Sequence, residues 1–383
     1  MEQWKQDRLI DILDTLIDYR GKTPNKVERG IPLITAKIVK NGRIETPTEF
    51  LPAEEYRDWM VRGYPQVGDV VLTTEAPLGE VAQLKDDKIA LAQRIVCLRG
   101  KEDALDNTYL KYFLMSNIGQ YRLKARETGT TVTGIKQSEL KEVLIDYPNY
   151  ELQQKIASIL SSLDSKIELN RRINDNLEQQ AQALFKAWFV DFEPFKGEKF
   201  VESQLGMIPE GWKVGTLSDL LDIRYGKDHK KLNDGNIPVY GSGGVMRLAD
   251  GILYNGESVL IPRKGTLNNV LYVNCPFWTV DTMFYSIEKV PNVAKYCHLL
   301  LSKLDLASMN SGSAVPSMTT DILNKIQVIV ANQDVFRSFN ECISSLYLKA
   351  KINLDENKQL SETRDLLLPK LMSGGLIIKD LHS

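Results

Sequence analysis

Seven short polar clusters in the chain are built from basic, hydroxyl, amide and aromatic side chains in varying mixtures. Three lie in the first half: Tyr19-Arg20-Gly21-Lys22-Thr23, Thr73-Thr74, and Thr130-Thr131-Val132-Thr133-Gly134-Ile135-Lys136. Four lie in the second: Arg224 through Lys231, Tyr240-Gly241-Ser242-Gly243, Arg263-Lys264-Gly265-Thr266, and Asn310-Ser311-Gly312-Ser313. Lysine, threonine and serine grip phosphate oxygens, and arginine reaches base edges, so the chemistry such clusters offer is recognition of nucleic acid. The candidate contacts are Arg20, Lys22, Lys37, Thr73, Thr74, Thr130, Thr131 and Lys136 in the first half. In the second they are Tyr225, Lys227, Lys230, Lys231, Tyr240, Ser242, Arg263, Lys264 and Ser313. Any one cluster alone is an ordinary solvated loop; their recurrence at matched places in both halves carries the assignment.

Motifs for catalysis are missing. Gly21-Lys22-Thr23 resembles the end of a phosphate-binding loop, but Leu16 stands where that loop needs its first glycine. Asp146-Tyr147-Pro148-Asn149-Tyr150 has a superficial likeness to an amino-methyltransferase motif, without the doubled proline and with no glycine-rich cofactor loop after an early strand. There is no G-x-S-x-G and no H-E-x-x-H. The four cysteines (Cys97, Cys275, Cys297, Cys342) and three histidines (His229, His298, His382) are scattered, so no metal site is expected and the thiols read as reduced. The expectation is a non-catalytic chain with no cofactor. A charged N-terminus without an apolar core, and no apolar run of membrane-spanning length, make the cytoplasm the expected compartment. The net charge of −2 counts only weakly against a nucleic-acid partner, because charge can be segregated on one face.

The elements that must position these clusters come as a diverged internal repeat. Gly129-Thr130-Thr131-Val132 aligns with Gly312-Ser313-Ala314-Val315 at an offset of 183 residues. The same offset carries Leu140 onto Leu323, Lys166 onto Lys349, Asn170 onto Asn353, Asn174 onto Asn357 and Leu184 onto Leu367. Upstream the offset drifts: 188 from Gly68 to Gly256, 184 from Tyr112 to Tyr296, 206 from Ile31 to Ile237 and 208 from Trp4 to Trp212. A drifting offset means insertions within variable globular parts, and a constant one means helices of fixed length.

Residues 151–189 and a second stretch from Phe339 to Leu371 show alternating three- and four-residue apolar spacing, the signature of a coiled-coil seam. Two asparagines interrupt each seam. Antiparallel pairing would set Asn170 against Asn357 and Asn174 against Asn353, satisfying four buried amides and fixing the register. The globular parts show mixed strands (31–39, 69–74, 94–98, 258–261, 270–273, 283–287) and helices (53–60, 107–116, 291–303). The resulting fold class is α+β: two mixed α/β domains separated by two long antiparallel helices with pseudo-two-fold symmetry. The expected divisions are 1–149 and 212–331 for the globular domains, 150–192 and 332–383 for the helical regions, and 193–211, rich in Gly and Pro, as a linker.

Two segments resemble a known family. Leu205-Gly206-Met207-Ile208-Pro209-Glu210-Gly211-Trp212 looks like the opening motif of a target recognition domain in type I restriction-modification specificity subunits. Leu152-Gln153-Gln154-Lys155-Ile156-Ala157-Ser158-Ile159-Leu160, continuing to Asn170, looks like that family's central helical region, and the likeness spans essentially the whole chain. Two departures stand out: the N-terminus keeps only Trp4 of the opening motif, and Asn332-Gln333-Asp334 replaces much of the Gln-rich signature. The resemblance implies that each globular domain reads one half of a bipartite double-stranded DNA target. It implies helices that dock two methyltransferase subunits, with restriction subunits completing the complex and no membrane involved. Rival readings are a specificity subunit of a type IIB-like system, or a coiled-coil adaptor that binds no DNA.

Overall fold

The protein is described by a computed structural model covering residues 4–129, 133–309 and 317–376. Two compact units emerge: residues 1–170 with 355–383, and residues 171–354. Each long helix contributes to both.

In the first unit a four-stranded antiparallel sheet runs in the order Leu13–Asp18, Ile95–Gly100, Val70–Thr74, Leu78–Gln83. Val70–Thr74 is buried along its whole length, as a β-branched run covered on both faces should be. A smaller sheet places Ile31–Ile34 between Phe50–Leu51 and Ala90–Leu91. Helix Asn107–Met115 starts at Asp106, whose carboxylate accepts the Tyr109 N–H, and it buries Tyr109, Leu110, Tyr112 and Phe113 in the core. The expected strand 31–39 is broken by a turn in which the Ile38 N–H meets the Thr35 carbonyl, so Val39–Lys40 is a separate strand. The expected helix 53–60 is a 3-10 turn, Ala53–Glu55, followed by the short helix Tyr56–Trp59.

The second unit holds a six-stranded sheet ordered Leu221–Tyr225, Met283–Glu288, Tyr254–Pro262, Leu271–Thr279, Ile237–Gly241, Gly244–Ala249. Tyr240 and Ser242 thus sit in a hairpin rather than a free loop. The segment expected as a linker is ordered: Phe200–Ser203 and Gly206–Pro209 form a hairpin. Phe192, Phe195, Ile208 and Trp212 from this region are buried, with Phe195 and Trp212 edge to face at 4.9 Å. Its prolines and glycines mark turns, while its apolar residues at wider spacing fill the core.

The repeat is visible in backbone bonds. Lys5–Arg8 pairs with Leu144–Tyr147, and Lys213–Thr216 pairs with Gln327–Val330. Leu9 N–H donates to the Val143 carbonyl at 2.7 Å, and Leu217 N–H to the Ile326 carbonyl at 2.8 Å. One expected pairing needs correction. The Tyr109 hydroxyl donates to the Asp146 carbonyl at 2.7 Å and the Tyr296 hydroxyl to the Ile329 carbonyl at 2.8 Å. Tyr296 therefore answers Tyr109, not Tyr112. Tyr109 and Tyr112 lie three residues apart on one helix, and only the bond to the strand behind tells which of them matches Tyr296.

Helices Tyr150–Phe189 and Gln333–Met372 are 40 residues each, about 60 Å of continuous helix apiece. Within the first unit, Asn170 Nδ2 donates to Asn357 Oδ1 at 3.0 Å, and Asp164 pairs with Arg364 at 2.9 Å. Within the second, Asn353 Nδ2 donates to Asn174 Oδ1 at 2.8 Å, and Asn174 Nδ2 to the Ala350 carbonyl at 3.1 Å. Partner numbers fall along one helix as they rise along the other, so the pairing is antiparallel. Arg364, a charge at a seam position, is accounted for by Asp164.

Candidate nucleic-acid interface

In the second unit the cationic clusters converge on a few strand ends. Leu221–Tyr225 delivers Tyr225, 51% exposed, with its ring edge to face on Phe284 at 5.0 Å. Gly226 lays the chain flat against the neighbouring strand end: a Cβ there would meet the Val280 carbonyl oxygen at 2.0 Å. Lys227 follows, its N–H on the Thr279 carbonyl and its own carbonyl accepting from Trp278 Nε1 at 2.9 Å. Tyr254–Pro262 delivers Arg263 and Lys264. The Arg263 guanidinium stands over the Tyr225 ring, 5.4 Å from its centroid. The Ser242 carbonyl accepts from Asn269 Nδ2 at 2.7 Å, which draws the Gly241–Gly244 turn to the same place. Tyr225, Lys227, Ser242, Arg263 and Lys264 are thus brought together. Tyr240 is half-buried beneath them, its carbonyl accepting from Thr279 Oγ1 at 3.1 Å. Lys230 and Lys231 are exposed on the loop that follows Lys227. Ser313 lies outside the described residues.

The first unit corrects several expectations. Thr73 and Thr74 are buried, at 0% and 1% exposure, and the Thr73 hydroxyl accepts the Glu80 N–H at 2.9 Å. They belong to the sheet interior, where the Thr74 hydroxyl finds no hydrogen-bond partner among the described residues. Arg20 is also committed internally: it chelates Asp18 at 2.8 and 2.6 Å and donates to the Ile135 carbonyl. Lys22, Lys37 and Lys136 are exposed; Lys37 approaches Glu49 at 3.8 Å. Thr130 and Thr131 lie outside the described residues. Glu75 and Arg94 pair at 2.9 Å next to Thr74. Glu75 directly follows the Thr73-Thr74 cluster, and the strand pairing of Thr74 with Arg94 brings Arg94 to it.

One backbone frame underlies both clusters. Ile135 N–H donates to the Thr74 carbonyl, and Met318 N–H to the Arg263 carbonyl, each at 2.9 Å. Thr74 N–H reaches the Arg94 carbonyl and Arg263 N–H the Thr282 carbonyl, again at 2.9 Å each. Bridges join Glu75 to Gly134 and Lys264 to Ser317. Matched positions therefore carry Thr74 and Arg263, Glu75 and Lys264, Arg94 and Thr282. The frame repeats while its side chains differ.

Each globular part is also fastened to a long helix. Lys111 and the Tyr112 hydroxyl meet Asp164 at 2.9 and 2.7 Å. Burial works to raise the Asp164 pKa, but Lys111, Tyr112 and Arg364 outweigh it and hold the carboxyl below its ordinary range. In the second unit His298 Nδ1 and the Tyr347 hydroxyl are 2.7 Å apart. Burial pushes His298 down to about 4, so the imidazole is neutral near pH 7.

The model of the type I restriction modification DNA specificity domain matches residues 1–179 and 209–334. The chain belongs to that family. Among its relatives is the type I restriction enzyme MjaIX specificity subunit of Methanocaldococcus jannaschii, 30% identical, with 99% of this chain and 95% of the relative covered. The HindI specificity subunit of Haemophilus influenzae is 24% identical over 75% of this chain and 81% of its own length. The crystal structure of the type I restriction-modification S subunit from M. genitalium superposes with a TM-score of 0.56 at 20% identity, covering 97% of this chain and 96% of that one. The specificity-subunit fold, mixed α/β globular parts with long antiparallel helices, is therefore the fold of this chain. Among the described residues no helix is long and apolar enough to cross a membrane, and no group of three or more His, Cys, Asp or Glu side chains could hold a metal.

Proposed function

We propose that this chain selects the DNA sequence for a type I restriction-modification complex, each globular part reading one half of a bipartite double-stranded target. The observation that carries this is the twice-built backbone frame with different side chains mounted on it. One scaffold with two sets of reading groups is what a target with two unlike halves requires. In this reading 1–149 and 212–331 are the recognition domains. Exposed Lys22, Lys37, Lys136, Lys227, Lys230, Lys231 and Lys264 grip phosphates, which fix orientation without carrying sequence information. The long helices set the unread gap and dock two methyltransferase subunits. Adenine methylation and base flipping then belong to those subunits and cleavage to restriction subunits, in the cytoplasm, with no cofactor or catalytic residue on this chain.

Methylation mapping tests this. The chain is co-expressed with a type I methyltransferase subunit, and modified adenines in host DNA are located by sequencing. A split motif with a constant gap is expected. A stable complex that leaves no motif would remove DNA reading, and no complex at all would favour a protein-binding adaptor.

A further inference from the structure

Arginines near the two clusters differ in how much of their hydrogen-bonding capacity the fold already uses. Arg20 is spent on Asp18 and the Ile135 carbonyl, and Arg94 is paired with Glu75. Arg62 donates to the carbonyls of Asp18 and Arg20, Arg224 is held by Asp222, and Arg247 donates to the carbonyls of Leu232 and Asn233. Arg263 is the exception. Among the described residues its guanidinium has one internal acceptor, the Asp281 carbonyl, at a long 3.4 Å.

Its position is nonetheless well defined. The backbone N–H and carbonyl of Arg263 are both bonded, to Thr282 and Met318. The guanidinium lies over the ring of Tyr225, and that ring is braced by Phe284. A planar fork held on an aromatic face, whose one acceptor among the described residues is the distant Asp281 carbonyl, is preorganised for a planar ligand bearing two adjacent acceptors. In the major groove only guanine presents two acceptors side by side, N7 and O6; adenine places a donor beside N7, and cytosine presents a donor.

We infer that Arg263 reads a guanine in the half-site taken by the second globular part, with Tyr225 as the platform that aims it. The inference rests on the DNA-reading function proposed above. Thr74 holds the matched place in the first unit, so the other half-site has no counterpart to this contact.

The test compares methylation maps for the wild type, Arg263→Ala and Arg263→Lys, each co-expressed with the methyltransferase subunit. In Arg263→Ala one guanine of one half-site should relax toward any base, with discrimination there falling about tenfold to a hundredfold. The other half-site and the gap should stay as they are. Arg263→Lys should relax the same position, since an ammonium keeps the charge but not the fork. A half-site without guanine, or an unchanged motif, overturns the inference. So does an even loss of methylation with the guanine still required, which marks a phosphate contact. If Arg263→Ala leaves no methylation, the purified wild-type complex is titrated with target duplexes carrying 7-deazaguanine at each guanine in turn. One position should lose about tenfold in affinity, and no loss anywhere overturns the inference. Absence of any wild-type motif is a different result, the failure of the DNA-reading function itself.

Discussion

Lys111 and His298 stand at matched places in the two halves and fasten a recognition domain to a helix by different chemistry. Asp164 serves three partners, Lys111, Tyr112 and Arg364, with 20% of its side chain exposed. Asp164→Asn leaves two cations facing a neutral amide, and a loss of about 3 kcal/mol is expected, read as a lower urea midpoint. The two joints also titrate in different windows. His298 has its folded pKa lowered from 6.5 to about 4. The unfolded chain therefore binds the extra proton first, and stability falls as pH drops from about 6.5 to 4, by about 3 kcal/mol in total. Asp164 has a lowered pKa, so its contribution is intact above the ordinary carboxylate range and is lost only in stronger acid. Acid titration followed by near-UV dichroism should show an early loss that His298→Gln abolishes. Persistence of that loss in His298→Gln would assign it to another group.

At the scale of elements, the asparagines in the helix seam and the aromatic cluster at its end do different work. Asn170 and Asn353 are fully buried, and each leaves its side-chain carbonyl without a hydrogen-bond partner. An amide so placed costs stability, while its Nδ2 still bonds across the seam. Asn170→Leu alone strands the Asn357 amide and should cost about 1–3 kcal/mol. Asn170→Leu with Asn357→Leu should recover that cost, giving a positive coupling in a double-mutant cycle of thermal melts; additive losses would mean the two do not act as a pair. Phe189 shows the contrasting case. It is 2% exposed and packs on the rings of Tyr296, Phe336, Phe339 and Trp212. Phe189→Ala should cost about 3–5 kcal/mol, visible as a lower unfolding midpoint.

At the scale of the whole molecule, two measurements bear on the proposed function. Deleting one heptad from both long helices together should shorten the unread gap in the methylated motif; an unchanged gap would dismiss the helices as the spacer. Lys136→Ala and Lys264→Ala should weaken binding to all sequences alike, each lowering the slope of log affinity against log salt by about 1. If either lysine instead alters the motif, it reads bases and is misassigned as a phosphate contact.

The sequence alone determined the repeat, the two long helices and their antiparallel asparagine pairing. A seven-residue apolar period and a constant offset of 183 are local regularities, and a buried amide can be satisfied in few ways. It also pointed to the loops around Tyr225, Arg263 and Lys264. What it could not decide was which polar residues in those loops are free. Thr73 and Thr74 look like ligand-facing hydroxyls in one dimension and are interior strand residues in three. Arg20 and Arg263 look equivalent until Asp18 and the Ile135 carbonyl are seen to hold the first, while the second lies over Tyr225 with only the distant Asp281 carbonyl as acceptor among the described residues. The 193–211 segment, with its turn-forming residues, hid a hairpin whose aromatic neighbours complete a core. Burial and hydrogen-bond commitment arise from contacts between residues far apart in the chain, so only the tertiary structure could separate the side chains that hold the fold from those left to meet DNA.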